Sequence, residues 1–331
     1  MDRVHLAFLG CGFIARVHSR HLRSLGDEAV TSYASRDPAR ARALERQFGG
    51  ARSYGSYEEA LGDPAVDAVV VAVPPVHHLD LALRALELGK HVLVEKPAFL
   101  RLGDYERAMA ARDRAGRVAM VAENDHYKPL AGALRGLIAD DVVGELVMCH
   151  FVTVAHRPKP ADDWRNDEAL AGGDAFFEEG IHWLHFAGSL GPRIRTIHGF
   201  RPPSPSACAP DGDRRRRSML IAFQYDNGAV GALYYSREIP SLLRGIRFSK
   251  LLGRKGVITF ESNGGLVVAR SRGWPRVLLP GFRDIRGYRA MYRDFFGSIR
   301  DGRAPEMSLE RAQEDHRLME TVFDTCARIW P

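Results

Sequence analysis

The first residues along the chain with the means to do chemistry are Gly10-Cys11-Gly12-Phe13-Ile14-Ala15, a GxGxxA run. It follows an apolar, strand-like stretch at 4–9 and opens a helical stripe of Ile14, Val17, Leu22 and Leu25. That setting, after a strand and at a helix start, makes the pattern a dinucleotide fingerprint. Gly10 permits a tight turn, Gly12 lets backbone approach a pyrophosphate, and Ala15 allows close helix–strand packing, while the helix start offers N–H groups to the phosphates. Cys11, Phe13 and Ile14 fall in the same cofactor-facing turn. An Asp or Glu closing the second strand would take the adenosine ribose 2′-hydroxyl, but that place reads Ser35-Arg36, with Arg40 one helical turn on. A hydroxyl and two guanidinium groups suit a 2′-phosphate, so NADP is the expected cofactor. NAD is the alternative, with Arg36 stacked on the adenine and Asp37 on the ribose.

Two further loops belong with this one. Val73-Pro74-Pro75 ends one apolar run and Glu95-Lys96-Pro97 ends another, which sets both at the carboxyl edge of a parallel sheet, where doubly wound folds bind ligands. Lys96 is one of only six lysines in a chain with 41 arginines. An ammonium kept at this place suggests a task that a guanidinium does poorly, that of a compact donor with a tunable pKa. Pro97 holds the Lys96 backbone extended. The bland alternative is a surface lysine paired with Glu95.

These loops need a scaffold, and the pattern supplies one. Strand-like runs at 4–9, 29–34, 68–73, 91–95 and 118–122 alternate with helical stretches beginning at 14, 38, 79 and 104, as in βαβ units. Asp37-Pro38 reads as an N-cap followed by proline at the first helical position, and Gly26, Gly89 and Gly116 as helix terminators. Residues 1–123 are therefore expected to form a dinucleotide-binding domain. From 124 to 331 the style changes to longer strands at 145–155, 218–225, 229–236, 257–261 and 264–269, with hairpin punctuation at Asp226-Asn227-Gly228 and Asn263-Gly264. That second part is expected to be an α+β substrate-binding and oligomerisation domain.

Bulk properties exclude other classes. A chain of 331 residues, 45% apolar and 27% charged, has the composition of a folded globular protein. The formal charge of +6 is weak for a nucleic-acid binder, and the densest basic run, 214–217, sits beside a Pro/Ser-rich stretch at 201–210 without interleaved aromatics. It reads as an exposed loop, and no nucleic-acid partner is expected. The longest apolar stretch falls far short of the roughly 20 residues of a membrane span, and no leader pattern opens the chain, so a cytoplasmic protein without a membrane partner is expected. Cys11, Cys149, Cys208 and Cys326 are widely spaced, which suggests reduced thiols and no metal site.

GCGFIA, ASRDPARA, AVPPVHH and HVLVEKP, in this order and spacing, resemble the Gfo/Idh/MocA family of NAD(P)-dependent oxidoreductases, many of which act on sugars and cyclitols. The likeness continues through AENDHYKP at 122–129, Asp163-Trp164-Arg165, Gly172-Gly173, Glu178-Glu179-Gly180-Ile181-His182 and a closing region from Pro305 to Asp315, so it covers essentially the whole chain. It implies an N-terminal Rossmann doubly wound parallel sheet followed by an α+β domain with a large, mostly antiparallel sheet. It also implies that Lys96 and a carboxylate–histidine pair, usually within DxGxH, face the nicotinamide and the substrate. Lys96 and His182 match. Glu178 replaces the aspartate, and His185 stands where an acidic residue often follows. Four apart on a helix, Glu178 and His182 share a face, so the carboxylate can fix the imidazole tautomer. The resemblance adds His78, Glu95, Asn124, Trp164, Arg165 and Tyr288 as cofactor contacts. Tyr127, His156 and Arg157 are candidate polar lining for a hydroxylated ligand.

The combined expectation is an NADP(H)-dependent oxidoreductase transferring hydride at a secondary alcohol or ketone of a sugar, nucleotide-sugar or cyclitol. His182 would act as general acid/base, Lys96 would polarise the same oxygen, and Glu178 would orient His182 or Lys96. Two alternatives stand beside it: a nicotinamide-assisted hydrolase or lyase with no net redox change, and a non-catalytic dinucleotide sensor. A homodimer or homotetramer built on exposed sheet faces is also implied.

Overall fold

In a computed structural model describing residues 3–157, 159–160, 163–203, 217–240 and 245–329, alternating short strands and helices gather into two units. The first comprises Met1–Asn124 with Tyr288–Glu314, the second Asp125–Gly287 with Asp315–Pro331.

The first unit runs β1 (Val4–Leu9), α1 (Phe13–Leu22), β2 (Ala29–Ala34), α2 (Pro38–Phe48), β3 (Arg52–Tyr54), α3 (Tyr57–Gly62), β4 (Ala68–Val71), α4 (His78–Glu87), β5 (His91–Val94), α5 (Leu102–Ala115) and β6 (Ala119–Val121). Its six strands are all parallel in the order β3-β2-β1-β4-β5-β6. Chain direction across the sheet reverses between β1 and β4, which puts a crevice at their carboxyl ends. Near-continuous burial of β1, β4 and β5 is what a parallel sheet covered on both faces demands. Leu9, Val71, Val94, Phe99 and Tyr105 share its core. The sequence pattern does not announce β3 and α3, because β3 is three residues with only Tyr54 buried. Side-chain capping does mark the start of α3: Ser56 Oγ accepts from Glu59 N at 3.2 Å, and Glu59 Oε2 accepts from the N–H of Gly55, just before the cap, at 3.0 Å.

The second unit contains α6 (Pro129–Ala139), β7 (Leu146–Val154), α7 (Glu168–Ala171), α8 (Ala175–Gly188), β8 (Ile194–Phe200), β9 (Ser218–Tyr225), β10 (Val230–Ser236), β11 (Phe248–Gly253), β12 (Val257–Glu261), β13 (Val267–Arg270) and β14 (Arg276–Leu278). The eight strands lie in the order β14-β13-β12-β11-β7-β10-β9-β8, antiparallel except for the β7–β10 pair. This is the expected fold class. Inward residues such as Cys149, Phe151, Ile221, Phe223, Leu233 and Phe260 are buried, and α8 contributes Phe176, Phe177, Ile181 and Phe186. On the opposite face Met148, Val230, Tyr234 and Phe248 remain exposed.

One boundary differs from expectation. Residues 288–314 do not stay with the second part but return to the first unit. There α9 (Tyr288–Asp301) buries Met291, Tyr292, Phe295 and Phe296, and Val121 N donates to Met307 O at 3.0 Å. α10 (Leu309–Ile329) then begins in the first unit and passes into the second at Asp315. An amphipathic stripe says that a helix has a buried face but not which sheet covers it. Of the Pro/Ser-rich stretch and the arginine run, residues 204–216 lie outside the described residues. No described helix is long and apolar enough to cross a membrane.

Asp174 starts α8, its Oδ1 accepting from Phe176 N at 2.9 Å and Phe177 N at 3.1 Å. Replacing it with Ala should lower stability by about 1 kcal/mol, and Asn, which still accepts, should cost less. Denaturation midpoints followed by circular dichroism check this ordering.

Candidate active site

At the carboxyl end of β1, Gly10 has φ +113°, and a Cβ there would stand 2.4 Å from Ala72 O. Only glycine lets the turn pass this close to the end of β4. Gly12 forms the N-cap of α1 with no side chain capping the helix and nothing within 4 Å of a Cβ built on it. A helix start with uncapped N–H groups and open space before it fits a dinucleotide pyrophosphate. Phe13 is exposed and Ile14 half-buried in the first helical turn. Cys11 is buried, its Sγ donating to Ala34 O at 3.4 Å; burial pushes the thiol up to about 11, so it stays protonated and packs. At the end of β2, Ser35 Oγ accepts from Asp37 N at 3.1 Å, and Asp37 accepts from Ala39 N at 3.0 Å as the cap of α2. Arg36 and Arg40 are exposed beside them.

The segment after β5 is held from below. Glu95 is buried, and its Oε2 accepts from Lys96 N at 3.2 Å. Its Oε1 lies 2.6 Å from His18 Nε2 on α1, and His18 Nδ1 lies 2.6 Å from the Tyr292 hydroxyl on α9. A carboxylate only accepts, so Nε2 carries the hydrogen, which leaves Nδ1 for the tyrosine. Burial opposes ionisation of Glu95, but the His18 hydrogen bond and the charges of His18, Lys96 and His78 outweigh it and hold the carboxyl below its ordinary range. His78, also buried, bridges the loops following β4 and β5: Nε2 lies 2.8 Å from Val73 O, and Nδ1 lies 3.1 Å from the carbonyls of Pro97 and Ala98. Burial pushes its pKa down despite those carbonyls. Val73 and Pro74 are half-buried and Pro75 is buried, and the Lys96–Pro97 bond is cis. Tyr288 is buried, stacked on His21 with ring centroids 4.8 Å apart and edge-on to His18 at 4.8 Å.

In the second unit α8 presents Glu178 and His182 one turn apart. Glu178 Oε1 lies 3.2 Å from Arg165 Nε, and its Oε2 accepts from Arg237 Nη1 at 3.2 Å. Arg165 also pairs with Asp163 at 2.8 Å and lies over the Trp164 ring, 5.1 Å from its centroid. A carboxylate oxygen of Asp125 lies within 4.8 Å of a His182 ring nitrogen, and Asp125 pairs with Lys128 Nζ at 2.6 Å. His185 is buried, with Nδ1 2.8 Å from Asp315 Oδ2 and Nε2 3.0 Å from His126 Nδ1. Tyr127 sits edge-on to His126. His156 and Arg157 are exposed beyond the end of β7.

Two family models match this chain: the oxidoreductase family, NAD-binding Rossmann fold, over residues 4–123, and the GFO/IDH/MocA C-terminal domain over residues 132–259. D-xylose 1-dehydrogenase (NADP(+)) 2 of Haloferax volcanii is 34% identical over 316 residues, 90% of each chain. The chain belongs to the Gfo/Idh/MocA oxidoreductase family. It is 32% identical over 163 residues to 1,5-anhydro-D-fructose reductase of Ensifer adhaerens, a match over 49% of this chain that spans about half, 48%, of that relative. The solved levoglucosan dehydrogenase complex with NADH and levoglucosan shares the fold, with a TM-score of 0.86 at 19% identity over 99% of this chain and 98% of that one.

Within this Gfo/Idh/MocA chain, the expected cofactor residues of the first unit gather along one sheet edge: the Gly10 turn, Ser35 and Arg36, Val73 to Pro75, and Lys96 follow adjacent strands. Three candidates are placed differently. Glu95 and His78 turn their polar atoms inward, and the Tyr288 ring packs on α1. Asn124 closes the first unit and Tyr127 lies just beyond it in the second. Glu178 was expected to orient His182 or Lys96; both of its oxygens meet guanidinium groups. Sequence reasoning missed His18, Tyr292, His126, Arg237 and Lys159. His18 falls on the same helical face as Ile14 and Leu22, and a histidine in an otherwise apolar stripe was the available signal.

Removing Glu95 strands a buried histidine. Glu95→Ala should destabilise the protein by about 3–5 kcal/mol, read as a lower urea midpoint at neutral pH. Because the folded-state carboxyl titrates below its unfolded value of about 4.3, its contribution is complete above that pH and is lost as pH falls through the folded value. Glu95→Gln should therefore flatten the acid limb of the stability–pH profile.

Proposed function

We propose that the protein is an NADP(H)-dependent oxidoreductase acting at a secondary alcohol or ketone of a sugar, nucleotide-sugar or cyclitol. The observation that carries this reading is the Lys96 backbone, locked by buried Glu95 on the same sheet edge as the Gly10 turn. A nicotinamide dinucleotide, when bound, supplies the hydride acceptor or donor. Gly10, Gly12 and the start of α1 would hold its pyrophosphate. Lys96, half-buried, would hydrogen-bond the substrate oxygen and favour the form in which negative charge develops there. His182 would take or return the hydroxyl proton, with an Asp125 carboxylate oxygen within 4.8 Å of its ring. Trp164, Arg165 and Asn124 would line the site, with Tyr127, His156 and Arg157 on the substrate side.

Support for NADP comes from exposed Arg36 and Arg40 and from Asp37, whose carboxylate is engaged in capping α2 and 3.5 Å from Arg40 Nε. The relatives' names, a xylose dehydrogenase and an anhydrofructose reductase, support a sugar-type substrate. The exposed apolar residues Met148, Val230, Tyr234 and Phe248 support a homodimer or homotetramer formed through that sheet face. The buried thiols of Cys11 and Cys149 support a cytoplasmic setting.

Lys96→Ala should reduce kcat/KM by about two to four orders of magnitude, with the NADPH dissociation constant from fluorescence titration nearly unchanged. Near-normal turnover would overturn the assignment. For cofactor choice, Arg36→Ala should lower the NADP-over-NAD preference in kcat/KM by about tenfold; an unchanged ratio would remove Arg36 from the 2′-phosphate site.

A further inference from the structure

We infer that Asp315, His185 and His126 form a buried positioning chain for His182: they fix the Asp125–Tyr127 segment on α8 and so hold the Asp125 carboxylate beside the His182 ring. The inference rests on the reading of His182 as the proton-transfer residue and deepens it, by naming the side chains that set its surroundings.

Helix geometry creates two rungs between this segment and α8. His182 and His185 stand three residues apart on the helix and so occupy neighbouring points of one face, while Asp125 and His126 are consecutive. On the first rung a carboxylate oxygen of Asp125 lies within 4.8 Å of a His182 ring nitrogen. On the second, His126 Nδ1 lies 3.0 Å from His185 Nε2. The second rung is buried and continues inward, with His185 Nδ1 2.8 Å from Asp315 Oδ2 on α10. From the other side α6 holds the same segment: Arg135 Nη2 donates to His126 O at 3.1 Å, and Lys128, at the helix start, pairs with Asp125 at 2.6 Å. The backbone is thus fixed by α6 and the His126 ring by α8.

Hydrogen placement gives the chain a direction. The Asp315 carboxylate only accepts, so His185 Nδ1 carries a hydrogen. The two ring nitrogens 3.0 Å apart share one hydrogen: either His126 Nδ1 donates to a bare His185 Nε2, or a doubly protonated His185 donates to His126. In both arrangements Asp315 sets the orientation and hydrogen positions of His185, and His185 sets those of His126. Buried polar groups of this kind are costly apart and rigid when joined. The identity of residue 185 suits the task. An acid there would bring a second buried carboxylate against Asp315, whereas an imidazole carries the hold of α10 past α8 to the segment beyond. A group that hands over a proton must be held to within about half an ångström, so a change at Asp315 reaches His182 through position alone.

The test compares the intact protein with Asp315→Ala, which removes the acceptor, and Asp315→Asn, which keeps one for His185 Nδ1–H. Histidine-ring nitrogen resonances, read in long-range proton–nitrogen NMR spectra without substrate, report the relay directly. The His182 ring signals should move in Asp315→Ala and return toward their original positions in Asp315→Asn. Turnover is followed with NAD and NADP on D-xylose and levoglucosan, and with NADH and NADPH on 1,5-anhydro-D-fructose, the sugars for which relatives are named. On any of these that reacts, Asp315→Ala should lower kcat by about tenfold or more with KM changed by less than about threefold, and Asp315→Asn should recover most of the loss. His126→Phe, which keeps a ring of similar size but breaks the other end of the chain, should reproduce both effects and serves where Asp315→Ala does not fold. His182 signals that stay in place, an unaltered kcat, or equal losses in the Ala and Asn variants would overturn the positioning chain, even if stability falls. Displaced His182 signals without turnover of any of the three sugars would count against the oxidoreductase reading alone.

Discussion

The carboxylate of Glu95 organises the first unit because an ion in that position must be compensated from several directions at once. Its partners come from parts of the chain far apart in sequence. His18 reaches it from α1, the Lys96 amide from the next residue, and Tyr292 completes the histidine's hydrogen bonding from α9, 274 residues beyond His18. Each partner fixes something the site needs: the helix that begins at Gly12, the backbone of Lys96, and the return of α9 to the sheet. A neutral residue at 95 would require none of these. The same physics that makes the arrangement expensive also makes it specific, because few other packings satisfy a buried carboxylate and a buried imidazole together.

The parts legible in the sequence are those set by local chemistry. Gly10 could be read because a tight turn followed by a helix needs glycine, and the structure shows the collision any side chain would meet at Ala72 O. Asp37-Pro38 could be read because capping is a matter of neighbouring atoms. β1, β2, β9 and β12 were expected at their observed bounds, since their residues alternate or run apolar between clear punctuation. What could not be read depends on separation along the chain. β8 and β11 carry charged or small residues that blur the alternation, and their pairing is decided by β9 and β7. His185 gains its carboxylate from Asp315, 130 residues away, and no local pattern links the two. The acidic group usual after the family's histidine is thus provided to His185 from another helix.

The departure at Glu178 has a comparable explanation. Its two oxygens each lie 3.2 Å from a different arginine, one on the segment before α7 and the other just past β10. A carboxylate one methylene shorter would retreat by about 1.5 Å and lose hydrogen-bonding distance to both. The longer side chain is what the arginine-rich surroundings require. Glutamate at this position and arginines at 165 and 237 form one electrostatic unit, so exchanging Glu178 for the family's usual aspartate without changing the arginines would leave two half-neutralised guanidinium groups in a confined space. On this argument the motif variant does not mark decay of the site. It marks adaptation of α8 to a cationic environment, and in a chain with 41 arginines such environments are where the carboxylates must be longest in reach.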